Sequence, residues 1–436
     1  MENQYYVAVI GAGPAGLFGA RELAQQGVRV ALFNRDIKAG GLAEYGIYPE
    51  KHTMKEGLRK QFRQALEHPN VEYYGNVLIG KDGDLQFEEL RSFGFDAILV
   101  AAGAQGTKWL GLDGEDLEGV YHAKDLVYSY NRLPPFSQKK FHFGKRCAIV
   151  GAGNVMVDIA RHLINVQKVE EVTAVVRRGP AEVNFTKEEM KHLISYLDLD
   201  EFDREMARVL PFLQTINQDP EIGRQKVLDS LAKADPKVEN AKFHFDFLAS
   251  PTRMIGENGK LTKLEVEDNT LSLKDNEVKA RGTGNKRTID VETVIFAIGD
   301  KVDESFGLPT EWNEFIKNPN PKFPMDGLSY ESSIEGVFVG GWSRKASEGL
   351  VGYARKDGTN AAKVVLQYLQ TKQPANTNPE TVTAKMKELN KPFITKDDIK
   401  RLEAVEAEEA KKRGLEEFKF ASNEEMLQAM GLIETA

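Results

Sequence analysis

This sequence predicts an α/β protein built from two parallel-sheet units, the second inserted into the first. Three observations point there. Short apolar runs ending in glycine recur at Val7–Gly11, Ala97–Gly103, Cys147–Gly151, Val294–Gly299 and Val337–Gly341. Runs of this kind read as parallel strands buried on both faces, and their alternation with helical periodicity argues α/β layering. Two of the runs open into the same glycine-rich turn, at Gly11 and Gly151, 140 residues apart. The second turn also begins before the sheet of the first half is complete.

The first turn reads Gly11-Ala-Gly13-Pro14-Ala15-Gly16, and Leu17, Ala20 and Ala24 follow at helical spacing. In a strand–turn–helix, the first glycine makes the tight turn and the second lets the backbone approach a pyrophosphate. The third lets the helix close on the strand. The anion then rests on the free N–H groups and positive dipole end of the helix. The strand Val28–Phe33 ends at Asn34-Arg35-Asp36, where such a fold meets the adenosine ribose. Asn34 can hydrogen-bond a hydroxyl without charge assistance. The run Phe95–Gly103 closes this half, with Gly103 at its end.

The second turn reads Gly151-Ala-Gly153-Asn154-Val155-Met156, followed by Val157, Ala160 and Ile164. Met156 stands where the third glycine is usual. The next strand, Val172–Val176, ends in Arg177-Arg178. Two guanidiniums there suit a ribose 2′-phosphate, which Arg pairs with in bidentate geometry. NADP(H) is therefore expected over NAD(H). Two dinucleotide turns in one chain are the layout of a flavoprotein that takes hydride from a nicotinamide, which puts FAD on the first. The fold class is thus two Rossmann-like dinucleotide-binding domains with a charged helical C-terminal tail. The FAD domain is expected over residues 1–104 and 332–436, and the NADP(H) domain over 105–331.

Residues 184–235 are helical in pattern and charged, and a β-rich piece follows around Phe243–Leu273. In the tail, residues 396–430, Glu408 with Lys412 and Glu409 with Arg413 have favourable i,i+4 spacing and read as a solvated helix face. A net charge of −8 makes no global case for nucleic acid or an anionic membrane. No apolar stretch approaches the ~20 residues of a membrane span, and the chain enters a strand without a signal-like segment. A cytoplasmic location is expected. The single cysteine, Cys147, excludes an internal redox disulfide, an iron–sulfur cluster or a Cys-rich zinc site in this chain, and no metal is expected. Electrons must leave the flavin directly for something outside the chain.

Six segments resemble the adrenodoxin-reductase type of ferredoxin–NADP reductase. They are Gly11–Gly16, Gly41-Leu42 through Pro49, Tyr130-Asn131 with Leu133-Pro134, Gly153–Val155 with Asp158, Arg177–Pro180 with Phe185-Thr186, and Gly341-Trp342. The tail resembles that family's C-terminus as well. The resemblance implies that Gly11, Gly13 and Gly16 hold the FAD pyrophosphate and that Leu42 and Val77 lie against the flavin nucleotide. It implies that Trp342 lines the flavin site and that Gly349-Leu350-Val351 offers backbone N–H groups to the flavin ring. It assigns Gly153, Asn154, Val155, Arg177, Arg178 and Glu189 to NADP(H), and a proton-handling pair to His52 and Asp158. Two places depart from the family pattern. Glu50-Lys51-His52 moves the histidine by one position, and Arg344-Lys-Ala-Ser-Glu348 replaces a Lys-Arg-Gly-Pro-Thr run.

The activity implied is hydride transfer from NADPH to FAD and onward electron transfer to a ferredoxin-like carrier. The task left to the protein is positioning and electrostatics. The alternatives are an electron-input subunit of a larger complex, a quinone or small-molecule reductase, and a non-catalytic dinucleotide-binding protein.

Overall fold

The computed structural model describes residues 4–347 and 349–434. These form two compact units. Unit 1 holds the chain up to Lys108, Tyr128–Gln138 and the chain from Gly299 on; unit 2 holds Trp109–Val127 and Lys139–Ile298. Residues 128–138 and 299–331, which the sequence reading put in the inserted part, thus cluster with unit 1. The reason is apolar packing: Val302, Phe306, Leu308 and Phe315 fill the cluster of Ile10, Phe33 and Val100, while Tyr128 and Leu133 pack on Tyr45.

The sheet of unit 1 is formed by β1 (Tyr6–Ile10), β2 (Arg29–Phe33), β3 (Val71–Tyr74), β4 (Ala97–Val100) and a last strand, Val337–Val339. Across the sheet the order is last strand, β4, β1, β2, β3, all pairs parallel. Every residue of β1, β4 and the last strand is buried, as continuous apolar runs require of a sheet covered on both faces.

Unit 2 repeats this arrangement. Its parallel strands run Val120–His122, Thr293–Phe296, Arg146–Val150, Glu171–Val176, Lys242–Phe247 across the sheet. The outer strand beside Thr293–Phe296 precedes the others in the chain, whereas its counterpart in unit 1 follows them. A three-stranded antiparallel sheet, Ala249–Glu257, Lys260–Lys274 and Glu277–Asp290, carries the expected β-rich piece well past Leu273. The charged helical stretch contains the helices Leu199–Gln214 and Pro220–Leu228, each with an aspartate N-cap.

Cys147 is 1% exposed within its strand, and burial pushes its thiol up to about 12. It is a small buried hydrophobe. An aromatic disulfide reagent is expected to leave the native protein untouched and to titrate one thiol after unfolding in guanidinium. Fast reaction of the native protein would contradict the placement.

The tail helix Lys396–Arg413 starts with a capping box of Thr395 and Asp398 and ends at Gly414 with φ +64°. Both expected i,i+4 pairs form on its exposed side. Its other side buries Asp398, Ile399, Leu402, Glu406 and Ala410. The solvated face is therefore only half of this helix.

Candidate functional site

Each unit carries its glycine turn at the C-terminal edge of its first Rossmann strand. In unit 1, Gly11 has φ +102°, and a Cβ there would sit 2.4 Å from the Ala101 carbonyl oxygen. A Cβ on Gly16 would sit 1.8 Å from the Gly11 oxygen, so only glycine lets the helix Pro14–Gln25 close on the turn. Gly13 is different: a Cβ there would meet nothing nearer than the Gly41 Cα at 4.0 Å. Gly13 is the N-cap, no side chain caps the helix, and Pro14 occupies its first turn. Open space above Gly13 and uncapped N–H groups make a cradle of the right kind for a phosphate. The residues fit the pyrophosphate of FAD.

The second turn has the same design with one change. Gly151 has φ +139°, and a Cβ there would lie 2.4 Å from the Ala297 oxygen; around Gly153 there is nothing within 4 Å. The helix Asn154–Asn165 has no side-chain cap. Met156, in the third-glycine position, is fully buried, so here the helix start accommodates a side chain. A following loop braces the turn: the Asn184 N–H donates to Ala152 O at 2.8 Å, and the Thr186 N–H to Asn154 Oδ1 at 2.8 Å. Val155, an apolar side chain at the mouth of the turn, is 45% exposed.

Arg177 and Arg178 leave the end of Glu171–Val176 as expected. Arg177 is exposed and Arg178 half-buried. Their backbone is pinned, since Asn269 Nδ2 donates to Arg177 O at 2.9 Å and the Leu248 N–H to Arg178 O at 3.3 Å. Among the described residues no carboxylate forms an ion pair with either guanidinium. Lys279 chiefly lowers the Glu277 carboxyl, and Arg178 is near enough to help; both guanidiniums are of the kind that pairs with an anionic group. Half-buried Glu189 lies in the short helix Lys187–Met190, which Thr186 caps.

The pyridine nucleotide-disulphide oxidoreductase family matches residues 5–196. NADPH-ferredoxin reductase FprA of Mycobacterium leprae is 28% identical over 401 residues, covering 84% of each chain. Mitochondrial NADPH:adrenodoxin oxidoreductase of Salvelinus fontinalis is 24% identical over 467 residues, covering 97% of this chain and 90% of the relative. The structure of Mycobacterium tuberculosis FprA in complex with NADPH superposes with a TM-score of 0.80 at 26% identity, covering 98% of this chain and 99% of the other. Residues 5–196, which hold both glycine turns and the strand that leads to Arg177, are thus similar to the pyridine nucleotide-disulphide oxidoreductase family.

Some residues singled out in the sequence fall elsewhere than expected. Asn34 is turned inward and is 6% exposed. Its Oδ1 accepts from the Ala12 N–H at 3.0 Å, and its Nδ2 donates to Asp36 O at 2.8 Å, Lys38 O at 3.0 Å and Tyr73 OH at 3.2 Å. With its amide consumed, Asn34 braces the glycine turn instead of presenting an open ribose ligand. Val77 is 1% exposed, its side chain in the apolar core with Ile79, Leu85 and Phe87. His52 begins the helix His52–Leu66 and pairs with Glu416 of the tail at 3.1 Å. Asp158 is half-buried in the second turn of Asn154–Asn165.

Leu42 packs beside Tyr45, Tyr128 and Leu133. Gly41, φ +51°, lies so close to the glycine turn that a Cβ would be 2.9 Å from the Gly13 Cα. Gly103, φ +76°, is held to the Gly341–Ser343 turn, its N–H donating to Ser343 Oγ at 3.0 Å. Half-buried Trp342 sits in that turn. Gly349 has φ +73°, and Leu350, 67% exposed, is the N-cap of the helix Val351–Leu369, which no side chain caps. Among the described residues nothing accepts from the N–H groups at Val351. Of the divergent Arg344–Glu348 run, Glu348 lies outside the described residues.

The sequence reading missed what holds this region. Asp357 accepts from the Gly341 N–H at 2.6 Å, from Tyr330 OH at 3.0 Å, and from Arg344 Nη2 at 2.7 Å and Nε at 3.0 Å. Arg344 and Asp357 are each 4% exposed. Gly358 brings the helix of Asp357 onto Pro14–Gln25: a Cβ there would lie 2.1 Å from Ala15 O. An Arg–Asp pair 13 residues apart, one member on a helix, leaves no periodic signal.

Among the described residues no helix is long and apolar enough to cross a membrane, and no group of three or more His, Cys, Asp or Glu is placed to hold a metal ion.

Proposed function

We propose that the protein is an FAD-dependent oxidoreductase that takes hydride from NADPH and passes electrons to a ferredoxin-type iron–sulfur protein. Unit 1 is the FAD domain and unit 2 the NADP(H) domain in this reading. The observation that carries it is the second glycine turn with Arg177 and Arg178, neither in a close ion pair among the described residues, at the end of the next strand. A lone glycine turn does not choose its dinucleotide; two guanidiniums at the ribose position favour a 2′-phosphate.

FAD, when bound, supplies an acceptor for two electrons that can be given up one at a time. The chain supplies the geometry. Gly11, Gly13 and Gly16 bring the start of Pro14–Gln25 to the FAD pyrophosphate, and Gly151 and Gly153 bring Asn154–Asn165 to that of NADPH. Gly41 and Leu42 cover the first turn. The N–H groups at Val351 and the positive end of that helix would hold the flavin ring's edge, where they would favour negative charge. Asp357 fixes the Gly341–Trp342 turn beside it. No acid–base residue is required for hydride transfer, so His52, paired with Glu416, has no necessary part. A cytoplasmic location belongs to the same proposal, supported by a sole, buried cysteine that needs no oxidising compartment.

The purified protein is expected to be yellow and to bleach under anaerobic NADPH. It should then reduce a ferredoxin in preference to quinone or oxygen. Bleaching with no transfer to any iron–sulfur carrier would leave the flavoprotein and sink the partner.

A further inference from the structure

The tail carries charge into the interior of unit 1. Glu406, from the helix Lys396–Arg413, is 5% exposed, and Lys419 is 8% exposed. Lys419 Nζ lies 2.7 Å from Glu44 Oε1 and donates to the Glu44 carbonyl at 3.0 Å. Arg59 clasps the same carboxylate at 2.6 and 2.7 Å and also meets Glu417. Lys38 Nζ lies 2.5 Å from Glu406 Oε2 and 3.8 Å from Glu44 Oε1. Lys55, 1% exposed, stands 3.8 Å from Glu417. Burial opposes ionisation of Glu44, but Lys419, Lys38 and Arg59 together hold its carboxyl well below the usual range.

Glu44 is the centre of this net, and its place in the chain gives the net a purpose. It lies in the four-residue helix Leu42–Tyr45, directly after Gly40-Gly41. The Gly40 N–H donates to Ala12 O at 2.7 Å, and Gly41 touches Gly13. The segment thus rides on the phosphate-binding turn. Buried ion pairs add little stability over apolar residues of the same size, yet losing one partner strands a buried charge. Such a net is a poor source of stability and a strict way to fix a geometry.

We propose that the tail completes the FAD site: Lys419 acting through Glu44, and Glu406 acting through Lys38, are positioning residues that hold the Gly40–Tyr45 segment against the turn at Gly13. The proposal rests on unit 1 being the FAD unit.

The test uses the full chain with Lys419→Met, Lys419→Arg and Glu406→Gln. Flavin-stripped protein is titrated with FAD, with 2′,5′-ADP binding as the control for unit 2. Lys419→Met is expected to weaken FAD by about tenfold or more, Lys419→Arg to recover most of it, and 2′,5′-ADP binding to stay unchanged. Glu406→Gln, an isosteric change, is the second variant and is expected to weaken FAD in the same direction. Thermal unfolding separates positioning from mere stability: the variants should lose more in the FAD-loaded form than in the stripped form. Wild-type FAD affinity in Lys419→Met and Glu406→Gln, or equal losses in both forms, would overturn the proposal alone. A wild-type protein that takes up no FAD would overturn the FAD reading, and the proposal with it.

Discussion

Replacing Arg177 and Arg178 together by alanine is expected to weaken NADPH by about 100-fold while leaving NADH within about twofold. The estimate follows from hydrogen bonds to charged groups, worth about 1.5–3 kcal/mol each. It is set near the lower bound because Arg177 is exposed and water screens it. NADH lacks only the 2′-phosphate, so every other contact cancels in the comparison. The glycine turn and uncapped helix remain, and the pyrophosphate keeps its cradle. Stopped-flow reduction of the flavin by each nucleotide measures both affinities on one protein. Arg178, half-buried and with less freedom to lose, should account for more of the effect than Arg177. An equal loss for NADPH and NADH would show that the pair serves the fold or the pyrophosphate and not the 2′-phosphate.

Asp357→Ala is expected to cost about 3–5 kcal/mol of stability and to release FAD. The carboxylate accepts four hydrogen bonds from three residues, and Arg344 beside it is almost wholly buried. Removing it strands a guanidinium in the interior and frees the Gly341 N–H that fixes the Trp342 turn. Asp357→Asn keeps the shape and two acceptor lone pairs, so it should lose less stability than alanine. Urea unfolding of the FAD-loaded protein, with flavin fluorescence as the second probe, reads both effects. Stability within 1 kcal/mol of wild type in Asp357→Ala would mean that Arg344 finds water, and the account of this turn would fail.

Much of this was legible in the sequence because it is local. Gly11, Gly16 and Gly151 announce themselves by steric need within one turn, and Arg177-Arg178 by standing at the end of one short strand. The five apolar runs became five parallel strands for the same reason. What escaped was made by the fold. Asn34 has the right position for a ribose contact, but Tyr73 and the carbonyls of Asp36 and Lys38 surround its amide. Only the pairing of β2 with β3 brings Tyr73 there. Val77 follows a strand and could have faced either side. The tail read as a solvated helix because its i,i+4 pairs are periodic and exposed. Glu406, on the opposite face, meets Lys38 at a separation of 368 residues, which no window can see. Residues 299–331 went astray likewise: Phe306 and Phe315 are ordinary apolar residues until the first sheet supplies the surface they cover.

The order of the strands has a consequence for biosynthesis. In unit 1, β4 gains its outer neighbour only when Val337–Val339 has been made, more than two hundred residues after β4 itself left the ribosome. All five strands of unit 2 are on hand by Phe296. The later unit in sequence can therefore close first on the nascent chain, while β1 to β4 wait with an open edge. Such long-range pairing is slow and leaves strands open to wrong partners. Overproduced protein should accordingly aggregate through its N-terminal third, and slowing translation just before residue 337 should aggravate it.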